Sequence, residues 1–568
     1  MNWLPRWLRH YRRADLPGDV SAGVIVTLLL VPQGLAYALV AGLPPEAGLY
    51  ASLLPLLLYA FSGGSHAQSV GPMAVTSLLV AATLSRLAAA GSDDYLLAAI
   101  WLALLSGAML FLFGLLRLGF LADALSQPVL AGFTAASALL IVLSQLAPLA
   151  GFRAGGASLP DIAQAFLAHV AALNPLALLL GLAALLLLVL ARRYLASLLH
   201  ALGLASGVAR TLSRTAPMLV VLGGLLAVTL AGWQSRLPVV GVVPGGLPAL
   251  RLAALPSLGL APLVMPAFFI ALINYVQSLS VAQMLAAPRR ETIDPDRELL
   301  ALGLCNLGAG LSGGFPVTGG LTRSVVNADA GANTQLASLI TAALMVLLLS
   351  TATALLANLP LAVLAATIIA SVAVMIDFRT LRVAWHTERA DAVAFAVTFL
   401  LVLALGVDAG IVAGVVISLS VWLMRSSRPH IAVLGRVPGT EHFRNVLRYH
   451  TEPLPGVLLL RVDESLFFGN ARHVGNAIEQ LAAASPDSHS LLLVMSAVNR
   501  LDMTALSMLE RLDDGLAERG IRLHLAEVKG PVLDVCKRAG LAARFDGRLH
   551  LSTHIAIQQL CPGSDYQI

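Results

Sequence analysis

From about Val20 to Met424 the chain is a succession of long apolar runs broken by short loops. A helix crossing about 30 Å of hydrocarbon needs roughly 20 apolar residues at 1.5 Å each. On that measure this stretch divides into about fourteen candidate spans. They begin near Val20, Glu46, Val70, Leu96, Leu121, Leu173, Pro217, Leu263, Glu298, Thr318, Gln335, Pro360, Asp391 and Ala409. Only 12% of the 568 residues are charged and 58% are hydrophobic. Average soluble domains carry about 25% charged residues. With a mean hydropathy of +0.83, the composition excludes a soluble enzyme, a disordered chain and a nucleic-acid binder. The chain reads as a polytopic α-helical membrane protein in contact with lipid.

Loop charges orient the spans. With the N-terminus inside, nine arginines of the first half lie in the cytoplasm: Arg6, Arg9, Arg12, Arg13, Arg117, Arg192, Arg193, Arg210 and Arg214. Eight more follow: Arg289, Arg290, Arg297, Arg379, Arg382, Arg389, Arg425 and Arg428. Only Arg86, Arg153, Arg236 and Arg251 fall outside, so positive charge favours this orientation over its inverse. Both termini are therefore expected in the cytoplasm, and the protein in the cell's inner (plasma) membrane. Residues 1–18 are rich in Arg and Trp without a continuous apolar stretch, which suits a cytoplasmic amphipathic segment better than a cleaved signal. A transport domain then covers 19–428, and 429–568 form a cytoplasmic domain.

This last part has ordinary soluble composition. Gly456–Val462, Leu491–Val494 and Ile521–Ala526 read as strands; Val474–Ala484, Thr504–Arg519 and Pro531–Ala539 have helical periodicity. Their alternation predicts a small α/β domain with a partly parallel sheet.

No catalytic or nucleotide-binding pattern is present. HExxH, GxSxG and a Walker lysine loop are all missing, and Lys529 and Lys537 are the only lysines. ATP-driven pumping thus has no support. Cys305, Cys536 and Cys561 are too scattered for a disulfide framework or a metal cluster, so no metal or cofactor is expected.

The informative segments are those that make poor membrane helices. Ser62–Pro72 and Gly308–Ser324 are Gly/Pro-rich backbone, each running into a half-length helix. Unsatisfied backbone in hydrocarbon costs several kcal/mol per group, so such segments belong inside protein or against a wet cavity. They hold positions three and ten of fourteen, the spacing of an inverted seven-plus-seven repeat. Spans one and eight match likewise, with Gln33 and Tyr37 in one and Gln277 in the other. Two half-helix N-termini facing each other present free N–H groups and about half a positive charge each. Arg323, in the first turn of the second, adds a full charge. The sum of about +2 suits a dianion. Alternatively, Arg323 faces the cytosol or pairs with Asp329.

Leu30–Ala38, Leu43–Tyr50, Ser69–Ala74, Gln127–Phe133 and Gly313–Asn327 resemble the sulfate permease (SulP) family of anion transporters. The tail is similar to the STAS domain that ends these proteins, with Met495–Thr504 at its loop-to-helix turn. The resemblance covers essentially the whole chain. It implies fourteen spans in two inverted repeats, core and gate domains, elevator motion and a homodimer. It places the anion against Val70, Gly71, Met73, Gly320, Leu321, Thr322 and Arg323, with Gln33, Tyr37 and Gln277 completing the pocket.

The expected function is secondary active sulfate transport; bicarbonate, dicarboxylate or chloride exchange stays open. An anion-sensing scaffold that signals to a cytosolic partner through the STAS domain is the alternative of another class. A nucleobase carrier would want a carboxylate in span eight, where this chain has Gln277. Many family members carry a glutamate there, thought to hold the coupling proton. Glutamine does not titrate, so either exchange or a relocated coupling site is expected. Thr504 stands where stand-alone relatives are phosphorylated on Ser; it reads either as a regulatory position or as a plain first-turn helix residue after Asp502. Val494 replaces the usual acid at the end of the second strand, which weakens the regulatory reading.

Overall fold

The computed structural model describes residues 5–9, 11–124, 126–203, 205, 209, 213 and 215–561. Arg210, Arg214 and part of the N-terminal segment lie outside the described residues. Contacts divide the chain into two units, Met1–Ser418 and Leu419–Ile568.

Fourteen helical segments stand where the apolar runs predict them. The first half holds α1 (Leu16–Val40), α2 (Pro45–Ser62), the two-residue strand β1 (Val70–Gly71), α3 (Ala74–Leu84), α4 (Asp93–Leu115), α5 (Gln127–Ser144), α6 (Pro175–Leu190) and α7 (Ala216–Leu230). The second repeats the order with α8 (Ala261–Ala286), α9 (Pro295–Leu311), strand β2 (Thr318–Gly319), α10 (Leu321–Asp329), α11 (Leu336–Thr351), α12 (Leu361–Val372), α13 (Arg389–Leu405) and α14 (Val407–Ser427). Several begin on proline, whose fixed φ and missing N–H suit a first helical position: Pro45, Pro175 and Pro295. Six helices of the described residues are long and apolar enough to cross a membrane. The half-helices fall short of that length because irregular backbone completes their spans.

Helix packing follows the repeat. The contact between α1 and α11 has its counterpart seven spans on between α8 and α4, that between α2 and α11 in α9 and α4, and that between α5 and α13 in α12 and α6. These pairings sort the spans into a core of α1–α4 with α8–α11 and a gate of α5–α7 with α12–α14. Glycine lets α4 and α9 cross closely in the core: a Cβ on Gly303 would lie 2.6 Å from the Phe111 backbone nitrogen, and one on Gly107 2.7 Å from that of Leu307. Small residues let α4 and α9 touch backbone to backbone, as membrane helices do when lipid offers no hydrophobic drive.

Three details differ from the sequence reading. The first span starts earlier than its apolar run, α1 beginning at Leu16 after a four-residue helical turn at Arg6–Arg9. Two amphipathic helices, Leu159–His169 and Arg379–Thr387, lie between spans. Their apolar stripes alternate with polar residues and so escape a search for continuous runs.

The second unit has a six-stranded sheet in the order β4-β3-β5-β6-β7-β8. β3 (Ile431–Arg436) pairs antiparallel with β4 (Phe443–Asn445) and β5 (Val457–Val462). β5, β6 (Ser490–Val494), β7 (Arg522–Ala526) and β8 (Leu549–His550) run parallel. Its longer helices are α15 (Ala471–Ala483), α16 (Met503–Glu518), α17 (Gly530–Arg538) and α18 (Thr553–Leu560). β5 and β6 are apolar on both faces, as strands covered by helices must be.

Candidate functional site

β1 and β2 pair antiparallel, Val70 opposite Gly319 and Gly71 opposite Thr318. This pairing brings the starts of α3 and α10 within about one strand spacing, 5 Å, of a common axis. The first turn of any α-helix leaves its leading N–H groups without intrahelical acceptors. Met73 and Gly320, the residues that precede α3 and α10, supply no side-chain cap. Both sets of donors are therefore available to an anion, at the positive ends of the two helix dipoles.

Polar side chains hold the broken backbone in shape. Asn274 on α8 accepts from Thr76 Oγ1 (2.7 Å) and donates to the Val317 carbonyl (3.3 Å), while Thr318 Oγ1 donates to the Asn274 carbonyl (2.7 Å). Asn306 on α9 donates to the Val317 carbonyl (3.0 Å) and accepts from its N–H (2.9 Å). Asn327 donates to the Ala67 carbonyl and Gln335 to those of Ser65 and Gln68. The cost of irregular backbone in an apolar surround is thus offset group by group.

Arg323 is the centre of charge. Its side chain is buried, 2% exposed, and donates from Nε to Ser69 Oγ (3.1 Å), from Nη1 to the Pro72 carbonyl (3.3 Å) and from Nη2 to the Ser69 carbonyl (3.3 Å). It neither faces the cytosol nor pairs with Asp329; among the described residues no carboxylate lies within ion-pair distance. A Cβ added to Gly71 would lie 3.0 Å from Nη2, so glycine there is what lets the guanidinium sit against β1.

The predicted residues fall around this point as follows. Val70, Gly71, Gly320 and Arg323 are in direct apposition, and Met73, also buried, starts α3. Tyr37 of α1 is buried within electrostatic reach of Arg323. Leu321 and Thr322 open α10 and are exposed. Gln277, 8% exposed on the helix that packs against β2 and α10, has neither side-chain polar atom hydrogen-bonded. Gln33 is half-buried on α1 and forms no hydrogen bond with the others among the described residues. Thr504 lies far along the chain in the second unit, exposed in the first turn of α16, with Asp502 accepting from the Ala505 N–H (2.8 Å) as the cap.

Sequence reasoning missed the residues that hold Arg323 and the two strands: Ser69, Asn274 and Asn306. Their signal was present as polar side chains in otherwise apolar runs, where a polar group needs a partner inside the bundle.

The sequence profile of the sulfate permease family matches residues 16–398, and that of the STAS domain residues 449–556. A protein of Mycobacterium tuberculosis named a probable sulfate transporter is 34% identical over 554 residues, spanning 97% of this chain and 96% of the relative. The chloroplastic sulfate transporter 4.1 of Arabidopsis thaliana is 31% identical, spanning 97% and 82%. Among solved structures, murine solute carrier 26 family member A9, described as an anion transporter in its inward-facing state, superposes with a TM-score of 0.89 at 24% identity over 98% and 94% of the two chains. At that identity the likeness concerns the fold.

Proposed function

The chain belongs to the sulfate permease family, and from that premise we propose that it is a secondary active sulfate transporter that binds its anion between the tips of α3 and α10. The observation that carries this reading is Arg323, a buried guanidinium held only by carbonyl and hydroxyl oxygens. A buried charge without a counter-charge is costly, and an anion cradled by the two helix starts supplies the missing partner. Arg323 and two half-charges sum to about +2, the complement of sulfate. Val70, Gly71, Met73, Gly320, Leu321 and Thr322 frame the cradle, and Tyr37, Gln33 and Gln277 close it from α1 and α8.

Transport proceeds by movement of the core, carrying both half-helices, against the gate. The protein works as a homodimer in the plasma membrane, with both termini and the STAS domain (429–568) in the cytoplasm and 19–428 as the transport domain. Thr504 is the position at which phosphorylation would act on the STAS domain. The test is uptake of radiolabelled sulfate into proteoliposomes, challenged with bicarbonate, chloride and small dicarboxylates. Saturable uptake competed best by sulfate supports the reading. A different best competitor reassigns the substrate, and binding without flux favours an anion sensor.

A further inference from the structure

We infer that Glu298 is the proton-binding site that couples anion movement to a proton in this chain, an inference that rests on the transport reading above. Glu298 sits in the first turn of α9 and is completely buried. Its Oε1 accepts from Tyr59 Oη (3.0 Å), Gln68 Nε2 (3.1 Å) and Ser278 Oγ (3.2 Å), its Oε2 from Tyr59 Oη (3.0 Å), and the carboxylate also accepts from the Gly64 backbone. Among the described residues no cation is paired with it.

The neighbours from each packed element are neutral or turned elsewhere. From α2 comes Tyr59; from α9 itself come Cys305 and Arg297, whose Nε donates to the Ser62 carbonyl (3.0 Å). His66, in the loop before β1, pairs with Glu291 (3.2 Å). The titratable residues of α4 are turned away: Tyr95 donates to the Ala41 carbonyl and Asp94 accepts from Ser257. Tyr275 of α8 donates to the Gly119 carbonyl.

This cage suits both protonation states. Hydroxyls and a side-chain amide can each reverse their role, whereas an arginine or lysine partner would pin the carboxylate in its charged form. Gln68 Nε2 donates to both Glu298 and Ser278, while Gln68 Oε1 is buried without a donor. Turning the amide over exchanges the two atoms. The carbonyl then accepts from a protonated Glu298 and from the Ser278 hydroxyl. Asp19, the other fully buried acid among the described residues of the transport unit, differs: two backbone N–H groups, of Asn333 and Thr334, fix it as an acceptor at the start of α11.

The cage also backs directly onto the anion cradle. Gln68 precedes Ser69, which holds Arg323, and Ser278 follows Gln277. A Cβ on Gly319 of β2 would strike both Gln68 Nε2 and Ser278 Oγ. An ionised Glu298 behind the strands lowers the local charge from about +2 to about +1; a proton restores the complement of a dianion. Proton and anion therefore favour each other's binding, and by linkage the effect is reciprocal.

The test measures lumenal pH in proteoliposomes under a clamped membrane potential while sulfate enters. Wild-type protein is expected to acidify the lumen in proportion to sulfate uptake. Glu298→Gln is expected to lose the acidification while sulfate-for-sulfate counterflow remains measurable. Acidification by the variant at the wild-type ratio overturns the inference. Wild-type sulfate entry without acidification also overturns it and leaves sulfate transport standing; absence of any saturable uptake is instead the failure of the transport reading. If the variant does not fold, calorimetry of sulfate binding to wild type, in buffers of different ionisation enthalpy, decides. Proton uptake on binding is expected, and heats independent of the buffer overturn the proposal.

Discussion

At the scale of single residues, the energetics turn on buried groups whose partners are few. Arg323 directs three of its five donors to oxygens of the first broken segment, so it joins the two half-helices and keeps donors for an anion. Arg323→Ala is expected to weaken sulfate binding, measured calorimetrically, by at least about 1.5 kcal/mol, the low end for hydrogen bonds to a charged group. Arg323→Lys should recover only part of this, because an ammonium cannot span Ser69 and Pro72 as a planar fork does. In the second unit His524 and His550 stack on neighbouring parallel strands, Nδ1 to Nε2 3.0 Å apart. Burial, then the charges of His550 and Arg548, push His524 down to about 4. An unfolded histidine takes its proton near 6.5, so below that pH the unfolded state binds more protons and the tail loses stability. The loss grows by about 1.4 kcal/mol per pH unit until the folded group itself titrates. The protection factors of the β7 and β8 amides in the intact protein, exchange rates corrected for the intrinsic pH dependence of amide exchange, should fall from pH 6.5 toward 4, and His524→Gln should flatten that dependence.

At the scale of elements, the two half-helices exist because glycine and proline deny the chain a continuous helix and buried amides satisfy what is left open. This much is legible in the sequence: Gly/Pro-rich stretches inside apolar runs, seven spans apart, fall in the structure on β1 with α3 and β2 with α10. The strands themselves were not legible, being two residues each and stabilised by partners some 250 positions away. The same holds for Glu298, which reads as an ordinary first-turn acid until Tyr59, Gln68 and Ser278 close around it. Short β4 and β8 escaped because neither is long enough to show a period of two. The α4–α9 crossing yields a mutational test. Gly303→Ala places a methyl carbon against the Phe111 backbone and should destabilise the detergent-solubilised protein by about 1–3 kcal/mol, as overpacking does. Gly223, which has open space around it, should tolerate alanine without a measurable shift in thermal midpoint.

At the scale of the whole molecule, the transport reading has an anion held between half-helices of the core change sides as the core moves relative to the gate. A cleft of 340 Å³ lies where the two meet, lined by Leu79 and Thr83 of α3, Phe269 and Ile270 of α8, and Ala409 and Val412 of α14. α14 belongs with the gate, since a Cβ on Gly414 would touch Val129 of α5 and Thr398 of α13. Sliding of one bundle past the other changes the distance from Leu87, an exposed lining residue just after α3, to Val412. In a Cys561→Ser background, where Cys305 and Cys536 are buried, Leu87→Cys and Val412→Cys offer two accessible thiols across the cleft. Bridging them with a bifunctional thiol reagent that contains an internal disulfide should stop sulfate uptake, and reduction should restore it. Each single cysteine, modified alone, controls for blockage of the cleft. A bridged protein that transports at the unbridged rate would mean that the bundles keep their relative position, and that the anion crosses by local rearrangement of α3 and α10 alone.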